Sequence, residues 1–238
     1  MYLFLIRHTE SEKNKDNKFS SSNDDENLTV KGNSDAIEIA NYVSDFAIKH
    51  SYKSKSVYSA NSIRSIKTAE KIANSIEANI QIEEDLRSTR PGVLEGVRKD
   101  KIKETHPEYA QQYYLFEKGV FNVYDFKNPK DKEPKRKFEE RVTACVDRIL
   151  SDKSEDIKII VGHRSSITAI LLYFARKYHN YPENFPYIDD LLSYVEPRVG
   201  DVYLIRAGLV GTTGYTGMEL ARLLASHPRI RLTCACAR

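Results

Sequence analysis

The chain has 238 residues, of which 40% are hydrophobic and 30% are charged, so it is long enough for one domain with or without an appendage. Its mean hydropathy of −0.54 is typical of a soluble protein, and no apolar run approaches the ~20 residues that span a bilayer. Residues 1–206 carry no net charge, which argues against a nucleic-acid partner. No secretory signal or disulfide framework is evident, so we expect a cytoplasmic protein.

The first predicted strand is the apolar run at residues 3–6, which ends abruptly in Arg7 and His8. In an open α/β sheet, ligands bind beyond the carboxyl ends of the parallel strands. A cation and a nucleophile at such a point suit an anionic ligand, although a strand that leads into a polar turn with a surface histidine explains this run equally well. The polar residues 11–27 predict a surface loop.

A helix is predicted next, with Thr29 as its N-cap and apolar side chains at helical spacing from Ala36 onward. Residues 56–59 predict a short strand, and a second helix follows from residue 63. Arg64 lies in the first turn of that helix, where a basic side chain opposes the helix dipole. This small penalty is easily understood if an anion binds nearby.

The rest of the chain continues the alternation of strands and helices. Further strands are predicted at residues 80–82, 157–161 and 202–205, and two amphipathic helices at residues 99–118 and 136–150, after an irregular segment at residues 85–97. The strand at 157–161 runs into His163 and then directly into another helix. The alternation predicts a three-layer α/β/α fold with a mostly parallel central sheet.

The pattern therefore predicts that two histidines and two arginines lie near one edge of the sheet. Arg7, His8 and His163 follow strands, and Arg64 begins a helix. Arginine forks neutralise the oxygens of a phosphoryl group, one neutral imidazole can attack phosphorus, and a second imidazole can stabilise the equatorial oxygens. A histidine pair could instead bind zinc, but no third or fourth ligand is evident and the arginines would repel a cation. We expect neither a metal nor a cofactor.

Four ordered motifs resemble those of the histidine phosphatase superfamily, which has a phosphoglycerate mutase-like fold. The family signature Arg-His-Gly-Glu-Thr-x-x-Asn matches residues 7–14, with Thr9 in place of Gly and Ser11 in place of Thr. The other matching residues are Leu28, Thr29, Gly32 and Ala36; then Ser59, Arg64, Thr68, Ala69 and Glu70; and finally His163. Any one of these motifs would be weak evidence, whereas four in order form a strong signal.

The resemblance implies a role for each matching residue. His8 is the expected phospho-acceptor, and Arg7, Arg64 and His163 are expected to form the phosphate pocket. Asn14 is an expected phosphate contact. The less specific alternatives are that Arg64 is a surface helix residue and that His163 is a buried histidine bound to the backbone.

The sequence departs from the family where a glutamate normally acts as the general acid for the leaving group. Ser88 occupies that position, and a serine cannot usefully protonate a departing alkoxide at neutral pH. Asp85 or Glu95 could substitute, the leaving group could need no acid, or turnover could be weak. Arg90 could bind a second anionic group of the substrate or face solvent.

Residues 207–238 differ in character from the rest of the chain. Their strand, glycine loop and helix start fit a dinucleotide-loop pattern and are similar to the opening of N-acetyl-γ-glutamyl-phosphate reductases. Because such a short unit lacks the other half of a nucleotide site, we expect no NADP binding. We expect a truncated Rossmann βα unit that arose by fusion or frameshift and has no function of its own.

The expected activity is that of a phosphatase that hydrolyses a phosphomonoester through a phosphohistidine at His8. The expected partner is a small phosphorylated metabolite or a phosphoprotein, with no membrane involved, and the sequence does not predict an oligomeric state. Alternatives are a phosphohistidine phosphatase and a phosphoglycerate mutase-type phosphotransferase. A catalytically impaired pseudo-enzyme that binds a phosphate ligand is the alternative from another class.

Overall fold

The structure is a computed structural model that describes residues 1–15, 18–19, 27–117, 131–179 and 199–206. The predictions for residues 207–238, and those for most of the loop at residues 16–26, lie outside the described residues. Within the described part of the chain, no helix is long and apolar enough to cross a membrane.

A five-stranded sheet forms the centre of the described structure, in the spatial order β3-β2-β4-β1-β5. The strands are β1 Tyr2–Arg7, β2 Ser56–Ser59, β3 Asn79–Ile82, β4 Ile157–Gly162 and β5 Val202–Arg206. All neighbouring pairs are parallel except β1 with β5, which are antiparallel. All five predicted strands are present, and each lies within one residue of its predicted bounds.

Helices cover both faces of the sheet. The helices in the described part of the chain are α1 Glu12–Lys15, α2 Val30–His50, α3 Ile63–Ser75, α4 Ile102–Thr105, α5 Pro107–Glu117, α6 Lys135–Ser151 and α7 Arg164–His179, and α2, α3, α6 and α7 pack on the sheet. Successive side chains of β1 point to opposite faces, so Phe4 and Ile6 pack in one core cluster with α2 and α3. Leu3 and Leu5 pack in the other with α6 and α7. The predicted three-layer α/β fold is confirmed.

Two local predictions were incomplete. The helix predicted over residues 99–118 is broken at His106, which has φ −143° and ψ 64° between α4 and α5. The cause is Pro107, since a proline disfavours helical geometry in the residue before it. In addition, the predicted loop at residues 11–27 contains the single helical turn α1, directly after the His8 segment.

The start of α2 packs directly on the chain that follows His8. Thr29 caps the helix as predicted, because its hydroxyl accepts a hydrogen bond from the Gly32 amide at 2.9 Å. That hydroxyl also donates to Glu10 Oε1 at 2.8 Å. A Cβ atom on Gly32 would lie 1.9 Å from the carbonyl oxygen of Glu10. Gly32 therefore permits the close contact between α2 and the segment that carries His8.

We predict that Gly32→Ala destabilises the protein by about 1–3 kcal/mol, the usual cost of overpacking. The sign is informative, because the same change in an unobstructed helix interior would stabilise by about 1 kcal/mol. Denaturant unfolding measures the effect. Ser34→Ala, at an exposed position of the same helix, is the control and should shift stability by no more than about 0.5 kcal/mol. A stabilised Gly32→Ala variant would contradict the prediction.

Candidate active site

Two histidines meet at the carboxyl end of the sheet. Arg7 and Gly162 are register partners in the parallel strands β1 and β4, so His8 and His163 leave the sheet side by side. The amide of His8 donates to the carbonyl of Gly162 at 3.0 Å. The two imidazole centroids are 5.2 Å apart, with the rings inclined at 67°. Both side chains are buried.

The hydrogen bonds of His8 define its tautomer. Its Nδ1 lies 2.8 Å from the carbonyl oxygen of Thr9, and a carbonyl only accepts, so Nδ1 carries the hydrogen. Its Nε2 accepts a hydrogen bond from Arg64 Nε at 3.3 Å. His8 is therefore a neutral imidazole whose Nε2 lone pair faces a guanidinium.

Arg64 is held between the two imidazoles by the first turn of α3. Ser62 caps this helix, with its hydroxyl accepting from the Ser65 amide at 3.4 Å. Arg64 is buried, and its Nη2 lies 3.5 Å from His163 Nδ1. A single guanidinium thus contacts both rings, which explains why a basic residue is retained where the helix dipole disfavours it.

Hydrogen bonds tie α3 to the segment after His8. The hydroxyl of Thr68 donates to the carbonyl of Arg64 at 2.9 Å and accepts from the Thr9 amide at 3.2 Å. The Thr9 and Thr68 hydroxyls are also 3.2 Å apart. Thr9, which replaces the usual glycine of the motif, therefore gains a hydrogen bond from its side chain.

His163 is bound at both its ring and its backbone. Its Nε2 lies 3.4 Å from Ser62 Oγ, and its amide donates to Ser166 Oγ at 3.0 Å. His163 immediately precedes α7, so the N-terminus of that helix faces the same edge of the sheet. Helix N-termini offer backbone N–H groups and a positive potential that favour anions.

The electrostatics of the site keep the two imidazoles neutral and the neighbouring arginines charged. Burial, followed by the charge of Arg64, lowers the pKa of His8 and of His163 well below 6.5. Burial also lowers the pKa of Arg7 to about 10, partly offset by the charge of Asp201, so Arg7 stays protonated at neutral pH. In the free site the arginines are therefore charged and the two imidazoles are neutral.

Lys13 is a residue of this site that the sequence analysis did not identify. It is only 6% exposed, and its charge contributes to lowering the pKa of both His8 and His163. Lysine in a polar segment ordinarily predicts a solvated side chain. Lys13 lies in the helical turn α1, directly after the His8 segment.

The remaining predicted site residues differ in their placement. Asn14 is exposed, and its Oδ1 accepts hydrogen bonds from the amide and hydroxyl of Ser11, both at 2.9 Å. Arg90 is also exposed, and Glu95 is half-buried after a 3-10 turn. The carboxylate of Asp85 is 45% exposed and lies 3.9 Å from Arg148 of α6.

Ser88, at the expected position of the general acid, lies beside the start of α7. Its hydroxyl is 3.1 Å from the hydroxyl of Ser165, which also accepts from the Thr89 amide at 3.2 Å. Ser165 is two residues after His163. We call residues 85–89 the acid-position loop. The contact between Ser88 and Ser165 joins this loop to the site formed by His8 and His163, which we call the histidine pocket.

We predict that stability falls as the pH is lowered from about 6.5. The lowered pKa values of His8 and His163 mean that the unfolded chain takes up protons first, so their contribution is complete above 6.5 and is lost below it. The slope is at most about 1.4 kcal/mol per pH unit for each imidazole. Denaturant unfolding of the wild type and of His163→Asn between pH 5 and 8 measures it. Parallel profiles would contradict the prediction.

The two buried imidazoles and the guanidiniums beside them form a cationic pocket at the carboxyl end of the sheet of an α/β protein. The chain belongs to the histidine phosphatase superfamily (branch 1), whose sequence profile matches residues 3–200. The predicted family resemblance is confirmed. Membership supports phosphatase or phosphotransferase chemistry. Among the described residues, no three His, Cys, Asp or Glu side chains form a group that could hold a metal ion.

Solved structures share the fold at low sequence identity. Bacillus stearothermophilus YhfR is 21% identical with a TM-score of 0.66, over 87% of this chain and 91% of that one. The α-ribazole phosphatase from Shigella flexneri is 20% identical with a TM-score of 0.64, again over 87% and 91% of the two chains. A mycobacterial glucosyl-3-phosphoglycerate phosphatase is 17% identical with a TM-score of 0.58, over 74% and 79%.

A second similarity is confined to a short stretch. N-acetyl-γ-glutamyl-phosphate reductase from Janthinobacterium sp. (strain Marseille) is 57% identical over 35 residues, which is 15% of this chain. The match spans only 10% of the length of that reductase. It agrees with the predicted resemblance of the C-terminal segment, whose residues 207–238 lie outside the described structure.

Proposed function

We propose that this protein is a phosphatase that hydrolyses a phosphomonoester through a phosphohistidine at His8. The supporting observation is the tautomer of His8, in which the 2.8 Å contact between Nδ1 and the Thr9 carbonyl leaves Nε2 unprotonated, with its lone pair accepting only a hydrogen bond from Arg64. A neutral imidazole beside a guanidinium is the state in which histidine attacks a phosphoryl group. We propose residues 1–206 as the catalytic domain, and a small phosphorylated metabolite or a phosphoprotein as the substrate.

The first half-reaction transfers the phosphoryl group to the enzyme. Nε2 of His8 forms a bond to phosphorus while the bond from phosphorus to the ester oxygen breaks. The electron pair leaves with that oxygen, which takes up a proton from the general acid, where there is one, or from solvent. Arg64 moves its hydrogen bond from Nε2 to the phosphoryl oxygens, and Arg7 neutralises their charge. The dianion raises the pKa of His163, so this imidazole gains a proton and donates to an equatorial oxygen.

The second half-reaction releases phosphate. A water oxygen forms a bond to phosphorus while the bond from phosphorus to Nε2 breaks, and the electron pair of that bond returns to the imidazole. The water loses a proton to the conjugate base of the general acid or to solvent. Asn14 adds a donor through its amide nitrogen, because its Oδ1 is engaged with Ser11. Arg90 is proposed to bind a second anionic group of the substrate.

Turnover of p-nitrophenyl phosphate with trapping of the phosphoenzyme tests the proposal. We expect p-nitrophenol release and an acid-labile, alkali-stable phosphoryl label on the protein. An enzyme that binds inorganic phosphate but turns over neither aryl nor alkyl phosphates would instead be the pseudo-enzyme. Retention of the phosphoryl group and its return to a second substrate would identify a mutase-type phosphotransferase.

A second candidate is a phosphohistidine phosphatase, or another enzyme whose leaving group needs no carboxylic acid. Two observations favour it. Ser88 pairs with another hydroxyl, that of Ser165, at 3.1 Å, and the nearby carboxylate of Asp85 faces Arg148. Glu95 is the other candidate acid. Asp85→Asn and Glu95→Gln distinguish these possibilities, because only loss of the acting acid would change the basic limb of the pH–rate profile.

We predict that Ser88→Glu increases turnover of an alkyl phosphate by about 10²-fold, the lower end of what a positioned acid contributes. Turnover of p-nitrophenyl phosphate should change little, because its phenolate leaves without protonation. Ser88→Gln is the matched control, since it has nearly the same shape and no acidic proton. Equal rates for the Glu and Gln variants would show that position 88 does not reach the leaving oxygen.

A further inference from the structure

Arg141 of α6 binds the backbone of the acid-position loop rather than its side chains. Its Nη1 donates to the carbonyls of Asp85 and Arg87, the latter at 3.1 Å. Its Nη2 donates to the carbonyl of Ser88 at 3.3 Å. Arg141 belongs to a different part of the chain, more than 50 residues away. A single guanidinium therefore holds three carbonyls of a five-residue loop.

The remaining N–H groups of Arg141 bind the half-buried carboxylate of Glu133. Its Nε and Nη2 donate to the two oxygens of Glu133 at 2.7 and 2.8 Å, and the two side chains are only 13% and 10% exposed. With the three carbonyls, these bonds account for all five N–H groups of a guanidinium. The guanidinium also lies 4.7 Å from the ring centroid of Phe138, which is fully buried in the core.

Glu133 joins the loop a second time. Its oxygens accept hydrogen bonds from both terminal nitrogens of Arg87 at 3.3 Å, and its amide donates to the carbonyl of Arg90 at 3.2 Å. Burial raises the pKa of Glu133, but the hydrogen bond and charge of Arg141 and those of Arg87 outweigh it, so the net pKa is lowered. The carboxylate is thus ionised at neutral pH, and the charge of Arg141 is compensated.

The far end of the loop reaches the histidine pocket. Ser88 Oγ and the Thr89 amide lie 3.1 and 3.2 Å from Ser165 Oγ, and Ser165 follows His163 by two residues. An unbroken series of contacts therefore runs from the core at Phe138, through Arg141 and the loop backbone, to the first turn of α7. His8 attacks phosphorus in line with the bond that breaks, so the organic group projects away from His8.

We infer that Arg141, supported by Glu133, is a positioning residue that sets the acid-position loop against the organic part of the substrate, an inference that rests on the proposed function. Arg141 contacts loop carbonyls, so the loop keeps its place whichever side chain stands at position 88. The phosphate pocket itself is built by other elements, namely β1, α3 and the start of α7. Loss of Arg141 should therefore weaken binding of the organic group and leave phosphate binding intact.

The affinities of two inert ligands test this inference without requiring turnover. Phenylphosphonate carries both a phosphoryl group and a ring, whereas inorganic phosphate carries only the former. In Arg141→Lys, which keeps the charge but loses the planar fork, we expect calorimetry to give a Kd for phenylphosphonate about 10-fold higher, as for a lost hydrogen-bonded charge. The Kd for inorganic phosphate should stay within about twofold.

Two further variants separate positioning from general stability. Arg136→Gln removes an exposed ion pair with Glu140 on the same helix and should leave both affinities unchanged. Glu133→Gln weakens the paired hydrogen bonds that support Arg141 and lies outside the phosphate pocket. It should reproduce the selective loss for phenylphosphonate, which keeps the test available if Arg141→Lys does not fold.

Equal changes in both Kd values, or no change in either, would overturn the inference, because a purely structural arginine would produce one of these results. Failure of the proposed function is a separate outcome. It would appear in the wild-type protein as binding of both ligands without turnover of any phosphomonoester and without a phosphoenzyme.

Discussion

Replacement of His8 by asparagine should abolish the phosphoenzyme and lower kcat for p-nitrophenyl phosphate by at least about 10³-fold, as removal of a covalent nucleophile does in other enzymes. Asparagine keeps a polar side chain in the buried site but has no nitrogen lone pair with which to attack phosphorus. Quenched-flow labelling with a ³²P-phosphoryl substrate, followed by separation of the protein in alkali, measures both quantities.

The second histidine provides the informative comparison. His163→Asn should slow phosphorylation by about 10²–10³-fold, the typical loss for one donor to a developing oxyanion, while a labelled His8 still accumulates. His50→Asn, an exposed position at the end of α2, is the control and should match the wild type. A label that persists in His8→Asn would assign the nucleophile elsewhere and refute the proposed role of His8.

Replacement of Arg64 by methionine should have the second largest effect, because this side chain contacts both imidazoles at 3.3 and 3.5 Å. We expect kcat/KM to fall by about 10²–10³-fold, since a buried guanidinium that neutralises the transferring group is lost. The affinity for inorganic phosphate should fall as well. Arg64→Lys should recover only part of the lost kcat/KM, because lysine restores the charge but not the planar arrangement of donors.

The same variant should shift the pH dependence in a defined direction. After burial, Arg64 is the largest cause of the lowered pKa of His8 and of His163. Removing its charge should raise both pKa values towards 6.5, so the acid limb of the kcat/KM profile should move to higher pH. The profile of Arg64→Lys should stay near that of the wild type. An acid limb at the same pH in the Met variant would show that Arg64 does not act on the nucleophile.

The predictable features of this protein are those that arise from neighbouring residues. Residues 3–6 are apolar in every position, and residues 157–161 in every position except Lys158. The reason is that both faces of a central strand are buried, so these segments could be predicted from the sequence. Thr29 caps α2 as predicted because the capping bond spans three residues. The break at His106 was missed, although the cause, Pro107, is also local.

The order of the motifs was enough to indicate the family, but not the geometry of the pocket. The pairing of Arg7 with Gly162 depends on which strands are neighbours in the sheet. Lys13 is buried in α1, a helical turn in a segment whose composition predicts a loop. In both cases the outcome follows from packing between distant segments, to which hydrophobic periodicity is insensitive.

The amino-acid sequence alone thus determined the layered α/β fold, the family and the histidines and arginines at the strand and helix ends, because each of these depends on local pattern and motif order. Only the tertiary structure decided the tautomer of His8, the contact of Arg64 with both rings and the attachment of the acid-position loop to Arg141. The contacts of Arg64 and Arg141 are hydrogen bonds between residues 53 to 99 positions apart. The tautomer of His8 follows from the hydrogen bond that its buried ring forms with the Thr9 carbonyl. Such contacts exist only when the sheet and the helices have assembled.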